Sequence, residues 1–251
     1  MMIALAFLTL QTPPSVKDLV LAIHNAYSQC ETYRDTGTQT TTYRPVDKQT
    51  HLESRRFATV YKRPGKLRFQ YSEWNFEHTK QETNVLWATG QRELHEFRPT
   101  DNLDPAAYKE WVWLASSLIE GEGKVDHDTL GMIVAGFTGI SGGTAFNVPN
   151  WLFPKDVGGR DALQEKDLKW LGRAKAAGHT CDLLETKSEG LKMWFDARTH
   201  LLIKLVEVTD LGAFTNNATK TTSVETTVYA PVVGVPVSDR EFVGPKVGGK
   251  G

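Results

Sequence analysis

The sequence has little surplus charge, few cysteines and no long apolar run, and each absence excludes a class of protein. Its 251 residues contain 29 Lys and Arg against 30 Asp and Glu, so it lacks the basic surface typical of a nucleic-acid-binding protein. Two cysteines are too few for a disulfide scaffold or a four-cysteine zinc site. No window approaches the roughly 18 apolar residues of a membrane-spanning helix. With 40% hydrophobic and 24% charged residues, the composition is that of a globular chain.

The two ends of the chain differ from the rest. Residues 1–10 carry no charge and read MMIALAFLTL, which has the length and apolarity of the central part of a signal peptide. The basic residues that normally precede such a segment are missing and no A-x-A cleavage pattern follows it. Residues 1–12 are therefore either a truncated signal segment or a plain apolar N-terminus. We expect one domain over residues 13–245 and a loose Gly/Lys-rich tail over residues 246–251.

The N-terminal half combines one helix with strands. Ser15 and Asp18 form a capping pair ahead of apolar residues at helical spacing, which predicts a helix that ends near Cys30. Alternating residues predict strands over 32–43, 57–61 and 67–71. Pro64-Gly65 predicts a type II turn between the last two. A further hairpin is predicted over residues 85–97.

The middle of the chain has a helical pattern and the C-terminal half returns to strands. Asp104-Pro105 is a typical helix start, and Trp111, Leu114 and Leu118 belong to the apolar stripe that follows it. A second short helix is predicted over residues 129–135. Strands are predicted over 168–174, 181–185, 191–196, 201–208 and 221–229. This order predicts an α+β fold with one large antiparallel sheet and helices on one of its faces.

One motif raises the question of catalysis. Residues 139–143 (GISGG) match the G-x-S-x-G pattern that places a nucleophilic serine above a parallel sheet in α/β-hydrolases. Here Pro149 and Pro154 interrupt the helix that should follow, and the neighbouring strands are antiparallel. We therefore interpret Ser141 as part of a glycine-rich loop and keep a serine hydrolase as an alternative. The histidines show no metal-binding spacing and no nucleotide-binding motif is present, so we expect no metal or cofactor.

The cysteines and tryptophans each allow two interpretations. In an exported chain, a disulfide between Cys30 and Cys181 would close a loop of about 150 residues and stabilise the fold by on the order of 5 kcal/mol. Otherwise both are buried free thiols. The seven tryptophans can fill a core or form the wall of an apolar pocket.

Several strings resemble the LolA/LolB-like superfamily of bacterial periplasmic lipoprotein carriers, and more narrowly an uncharacterised branch of it. They are a Y-x-D-x-G strand within CETYRDTG (residues 30–37), the hairpin FATVYKRPGKLRF (57–69), the segment GISGGTAFNVPNWLFP (139–154) and a W-x-D-x-x-T-x-L hairpin in LKMWFDARTHLL (191–202). The resemblance implies a strongly curved antiparallel sheet, an open half-barrel, with helices packed as a lid over its concave face. Between sheet and lid it implies an apolar cavity.

The leading hypothesis is a non-enzymatic, exported binding protein of the periplasm or cell envelope that holds a lipid, an acylated protein or another apolar ligand. Its wall and lid residues are predicted to be Phe57, Tyr61, Leu67, Phe69, Trp87, Trp111, Leu114 and Leu118. The alternative is an envelope sensor that uses the same half-barrel to bind a protein partner, and a hydrolase using Ser141 is the third. We expect a monomer.

Overall fold

The computed structural model describes residues 14–45, 51–74, 81–89, 93–99, 108–114, 148–152, 161–164, 166, 168–187, 190–211 and 221–243. The helices are α1 (Val16–Ser28) and α2 (Val148–Leu152), with 3-10 turns at Ala162–Gln164 and Asp239–Phe242. The strands are β1 (Thr32–Pro45), β2 (His51–Lys62), β3 (Lys66–Trp74), β4 (Gln81–Thr89), β5 (Glu93–Pro99), β6 (Tyr108–Leu114), β7 (Leu168–Ala176), β8 (His179–Thr186), β9 (Lys192–Asp196), β10 (Leu202–Asp210), β11 (Thr221–Tyr229) and β12 (Val232–Val233).

All these strands belong to one 12-stranded antiparallel sheet, in the order β6-β5-β4-β3-β2-β1-β11-β10-β9-β8-β7 with β12 beside β1. The meander β1–β6 meets the meander β7–β11 where β1 pairs with β11, with Gly37 opposite Tyr229. Within the described residues no pairing joins β6 to β7, so the sheet is open. Side chains from both meanders enter one core cluster with α1, which requires the sheet to curve around the helix. The predicted α+β half-barrel is confirmed.

Helix α1 packs against one face of the sheet, which we call the inner face. The Ser15 hydroxyl accepts a hydrogen bond from the Asp18 N–H at 3.1 Å, as the predicted capping pair requires. Leu19, Ile23 and Tyr27 recur every four residues and are buried against the sheet. The helix therefore supplies one apolar stripe to the core.

The C-terminal end of α1 is tied to both meanders. The Arg63 guanidinium, in the β2–β3 turn, donates to the Cys30 carbonyl at 2.8 Å and also to the Ser28 carbonyl. The Tyr27 hydroxyl accepts a hydrogen bond of 2.9 Å from the backbone N–H of Leu202, at the start of β10. One helix end thus holds the β1–β6 and β7–β11 halves together.

A C-terminal segment covers part of the opposite, outer face. Val237 and Phe242 pack against Val60 of β2. Asp239 lies 2.7 Å from the Lys62 ammonium and 3.0 Å from the Lys66 ammonium. Arg34 pairs with Glu241, and Arg68 donates to the Val243 carbonyl at 2.8 Å. The outer face of β1–β3 is therefore partly apolar and covered by the chain itself.

The β2–β3 hairpin is confirmed, but its turn is not of type II. The Arg63–Pro64 peptide bond is cis, and Gly65 does not adopt the positive φ that a type II turn requires.

The predicted helix at residues 104–118 is wrong over residues 108–114, which form β6. Trp111 lies opposite Glu96 and Trp113 opposite Leu94 of β5. The sequence YKEWVWL contains aromatic and β-branched residues that favour strands, and pairing with an adjacent strand outweighs a weak helical stripe. Trp111 and Leu114 therefore lie on a strand and not on a lid helix. Leu118 and residues 129–135 lie outside the described residues, as do the predicted signal segment and tail.

The predicted disulfide is not formed, since Cys30 and Cys181 are both free thiols. Cys30 packs against the inner-face core at the end of α1. Cys181 belongs to a separate cluster with Ala176 and Ile203, and strand alternation places it on the face opposite its inner-facing neighbour Leu184. The sheet separates the two thiols. Burial raises the pKa of each above its ordinary value.

Tyr27→Phe tests the tie between α1 and β10. The substitution keeps the ring but leaves the buried N–H of Leu202 without its acceptor, so we expect the free energy of unfolding to fall by about 1–3 kcal/mol. Urea unfolding followed by circular dichroism measures this change.

Tyr229→Phe is the matched control, because the Tyr229 hydroxyl is buried and has no hydrogen-bond partner within the described part of the chain. Its loss should be close to neutral. Equal stability of Tyr27→Phe and the parent protein would contradict the proposed tie.

Candidate functional site

Four of the predicted cavity residues lie together on the inner face of the sheet. Phe57 and Tyr61 of β2 and Leu67 and Phe69 of β3 are all buried in the cluster that includes α1. The rings of Phe57 and Phe69 have centroids 6.5 Å apart. This part of the predicted site is contiguous and faces the helix.

The other four predicted residues do not join this group. Trp87 lies opposite Arg68 in the sheet and clusters with Val85, on the outer face. Trp111 and Leu114 are on β6, where the backbone alone is described, and Leu118 lies outside the described residues. Ser141 also lies outside them, so a catalytic role for it stays a prediction.

The inner face extends well beyond the residues predicted from sequence. Its buried apolar side chains come from β1–β4 and β8–β11 as well as from both helices. Trp151 of α2 is 5.1 Å from Tyr27 and 5.7 Å from Phe195, measured between ring centroids. The additional buried members include Leu19, Ile23, Tyr33, Leu86, Leu152, Leu184, Met193, Leu202, Leu205 and Tyr229. The helical stripe of α1 and the apolar run of β10 were the sequence signals that could have identified them.

A glycine allows the two meanders to pack closely at the seam. Gly37 lies between Phe57 and Tyr229 in the register of the sheet. A Cβ atom at Gly37 would collide with the Phe57 ring and with the Val228 carbonyl. The rings of Phe57 and Tyr229 meet over this glycine, edge to face, at 5.3 Å.

The carboxylate of Asp35 is buried in this apolar interior. Asp35 is 2% exposed, accepts a 2.6 Å hydrogen bond from the Tyr33 hydroxyl and a 2.9 Å bond from the Thr59 N–H. Burial raises the pKa of Asp35 to about 6, although the bonds from Tyr33 and Thr59 oppose the shift. Burial likewise raises the pKa of Tyr33 and Tyr229, and the nearby Asp35 charge adds to it.

The residues of the recognised motifs build the fold. In the hairpin motif, Thr59 binds Asp35, Arg63 binds the end of α1 and Arg68 binds the C-terminal segment. In W-x-D-x-x-T-x-L, Asp196 accepts bonds from the N–H groups of Arg198 and Thr199 at 3.0 and 2.8 Å. Burial would raise the pKa of Asp196, but hydrogen bonds from Thr199, His179 and Arg198 lower it to about 2.

The described residues show neither a metal-binding cluster nor a membrane-spanning helix. The described part of the chain contains no group of three His, Cys, Asp or Glu side chains placed to hold a metal ion. None of its helices has the length and apolarity needed to cross a membrane.

Comparison with solved structures finds weak similarity over most of the chain. LprF from Mycobacterium bovis is 10% identical with a TM-score of 0.44, over 95% of this chain and 100% of that one. A LolA superfamily protein from Nitrosomonas europaea is 9% identical with a TM-score of 0.30, over 92% and 99%. MucB in complex with MucA(peri) is 9% identical with a TM-score of 0.32, over 93% of this chain.

The chain spans 61% of the MucB chain. No family model and no curated protein sequence matches it. Similarities of this size carry no argument about function. The geometry described above, an open antiparallel half-barrel with a helix over its inner face, is the arrangement that the resemblance to the LolA/LolB-like superfamily implied.

Asp35→Asn should remove a pH-dependent part of the stability. The pKa of Asp35 is about 6 in the folded chain and about 4 in an unfolded chain, so the folded state binds this proton more tightly. The free energy of unfolding should therefore rise as the pH falls from about 6 to about 4, by about 2 kcal/mol of the roughly 3 kcal/mol that the full pKa shift represents. Asparagine is neutral throughout and loses this rise. Urea unfolding at pH 7 and pH 4.5 measures the difference.

Glu31→Gln is the control, because Glu31 is an exposed carboxylate next to β1. It should keep the pH dependence of the parent protein. An unchanged pH dependence in Asp35→Asn would show that Asp35 titrates normally.

Proposed function

We propose that this protein is a non-enzymatic binding protein that holds a lipid acyl chain, or another apolar ligand, between the inner face of its sheet and helix α1. The observation that supports this most directly is that the apolar inner face is wider than the helices that pack over it. That face draws on eight strands, β1–β4 and β8–β11. At about 4.8 Å per strand this is roughly 38 Å, whereas the 13 residues of α1 span about 20 Å and the 5 residues of α2 about 8 Å.

The way α1 is attached suits a lid. Its polar contacts with other described elements are the hydrogen bonds from Arg63 and Leu202 at its C-terminal end and the pair formed by His24 and Asp161, 3.3 Å apart. None of these contacts involves the first two turns, residues 16–23. Its first turns are held to the core through Leu19 and Ile23 alone among its buried side chains. Apolar contacts have no directional requirement, so an acyl chain can replace them while the C-terminal ties remain.

The energetics of such binding are favourable. Each methylene that leaves water contributes about 0.8 kcal/mol, so ten methylenes contribute roughly 8 kcal/mol before the cost of ordering the chain. Without that cost the figure corresponds to a dissociation constant of about 1 µM, so a chain of ten methylenes binds more weakly than this and a longer acyl chain is needed to reach it.

The partner and location follow from the same proposal. A lipid or an acylated protein would supply the acyl chain, and a chain whose first residues form a signal segment would meet it in the periplasm or cell envelope. The sequence resemblance supports this location. The proposal needs no metal, cofactor or catalytic residue, and it needs one copy of the chain.

A protein partner is the second candidate, and the edge of the sheet favours it. Strand β7 has β8 on one side and no strand on the other within the described residues. Leu171 of β7 is an exposed large apolar residue on this edge. An unpaired strand edge can accept a strand from another protein, as an envelope sensor would require.

Leu19→Gln tests the lid. Leu19 is buried under the first turns of α1, away from the C-terminal ties. A glutamine there removes apolar contact with a bound acyl chain, and because burial of a leucine is worth about 1.5–3 kcal/mol, we expect binding of a fluorescent fatty acid to weaken by roughly tenfold or more. Fluorescence titration of the purified protein measures the affinity.

Leu21→Gln is the matched control, since Leu21 lies on the exposed side of the same helix. It should bind like the parent protein, and circular dichroism confirms that both variants are folded. Organic extraction of the purified protein followed by mass spectrometry should identify a bound lipid. No extracted lipid together with no fatty-acid uptake would reject the proposal and favour the protein partner.

A further inference from the structure

The outer face of the sheet contains a pocket that the acyl-binding proposal does not use. Its volume is about 760 Å³, which is in the range of small-molecule sites. Thr36, Ala58 and Gln70 line it and lie side by side on β1, β2 and β3. They alternate with the inner-face residues Gly37, Phe57 and Tyr71, so their side chains point away from α1.

The lining of the pocket contains basic side chains and, among the described residues, no acidic one. The basic residues are Arg56 of β2 and His179, at the β7–β8 turn. Arg56 is exposed and forms no ion pair within the described part of the chain. A guanidinium without a carboxylate partner presents a planar set of donors to a phosphate or carboxylate group.

His179 is held in a fixed orientation at the pocket. Its Nδ1 atom lies 2.8 Å from the carboxylate of Asp196, and its side chain is half exposed. Asp196 is itself fixed by the N–H groups of Arg198 and Thr199. With Nδ1 occupied in this way, Nε2 is the ring nitrogen that remains available to a ligand.

The rest of the lining favours a ligand with hydroxyl groups over a planar ring. Thr36, Thr38, Gln70 and Ser72 contribute hydroxyl and amide groups. Phe57, Tyr71 and Tyr229 also line the pocket, but their rings are buried in the inner-face cluster, so little of their surface is available for stacking. The backbone here is also well fixed, because the Arg56 N–H donates to the Ser72 hydroxyl at 3.0 Å and links β2 to β3.

We propose that this pocket is a second ligand site, for a small hydroxyl-bearing molecule that carries a phosphate or carboxylate group, with Arg56 and His179 binding the anionic group. The site lies on the opposite side of the sheet from the apolar interior, so it stands whether or not that interior binds an acyl chain. Two sources can supply the ligand chemistry, a free sugar phosphate or sugar acid and the headgroup of an anionic lipid.

Calorimetric titration at low salt tests the site with glucose 6-phosphate, glucuronate and glucose. We expect saturable binding of at least one of the two anions and roughly tenfold weaker binding of glucose, because a charge-assisted hydrogen bond is lost. Arg56→Gln and His179→Gln should each weaken anion binding, Arg56→Gln by roughly tenfold or more. Both positions are exposed, so both variants should fold.

Arg44→Gln is the matched control, since Arg44 is an exposed arginine on β1 that does not line the pocket. It should bind the anion like the parent protein. Sedimentation with vesicles of phosphatidylglycerol or phosphatidylcholine separates the two sources: retention on the anionic vesicles alone, lost in Arg56→Gln, assigns the ligand to a lipid headgroup.

Three results would overturn the proposal. They are no saturable binding of either sugar anion or of the anionic vesicles, equal affinity for glucose and glucose 6-phosphate, and unchanged anion binding in both Arg56→Gln and His179→Gln. Loss of fatty-acid binding in the Leu19→Gln variant has no bearing on any of the three, because Leu19 is on α1 and outside this pocket.

Discussion

At the C-terminal end of α1, the Arg63 guanidinium binds carbonyl groups that the helix itself cannot pair. The Tyr27 hydroxyl, one turn earlier, binds the backbone of β10. Within the described residues the two meanders pair at the β1–β11 seam and share one core cluster on the inner face. The hydrogen bonds of Arg63 and Tyr27 join this helix end to both sides of the seam. They therefore fix the positions of the two meanders around the core. The curvature of the sheet and the position of the helix are therefore determined together.

The middle of β1 shows how the interior is built around that seam. Tyr33, Asp35 and Gly37 alternate inward along the strand. Gly37 leaves the space that the Phe57 ring occupies, and Asp35 is retained because its oxygens receive hydrogen bonds from Tyr33 and Thr59. The Y-x-D-x-G motif therefore allows the two meanders to pack closely around a buried carboxylate whose pKa is raised to about 6. Its described contacts all serve the packing of the fold.

Local patterns predicted much of this fold, because α1 and most strands carry their own signal. The period-two runs of β2 and β3 and the helical stripe of α1 follow from burial on one face. The helix prediction is wrong over residues 108–114 because the apolar residues there fit both the helical period and the two-residue period of a strand. Pairing with the neighbouring β5 decides in favour of the strand. The sequence pattern gives no direction for Trp87, because β4 is buried on both faces, and the fold places it with Val85 on the outer face. The ties at Arg63 and Tyr27 depend on residues far apart in sequence, and no local pattern contains them.

The two faces of the sheet impose different chemistry on whatever they contact. The inner face is built from aromatic and aliphatic side chains, and its buried carboxylates are held by their own neighbours, Asp35 by Tyr33 and Thr59 and Asp182 by Trp170. Selection there depends on shape and apolar area. Successive residues of a strand point to opposite faces. Because Phe57 of β2 and Tyr71 of β3 point inward, their neighbours Arg56 and Gln70 point outward and line the pocket. The polar pocket is therefore a direct consequence of the register that builds the apolar core. A one-residue shift of β2 would turn Phe57 outward and Arg56 inward. The outer pocket and the packing under α1 therefore depend on the same register.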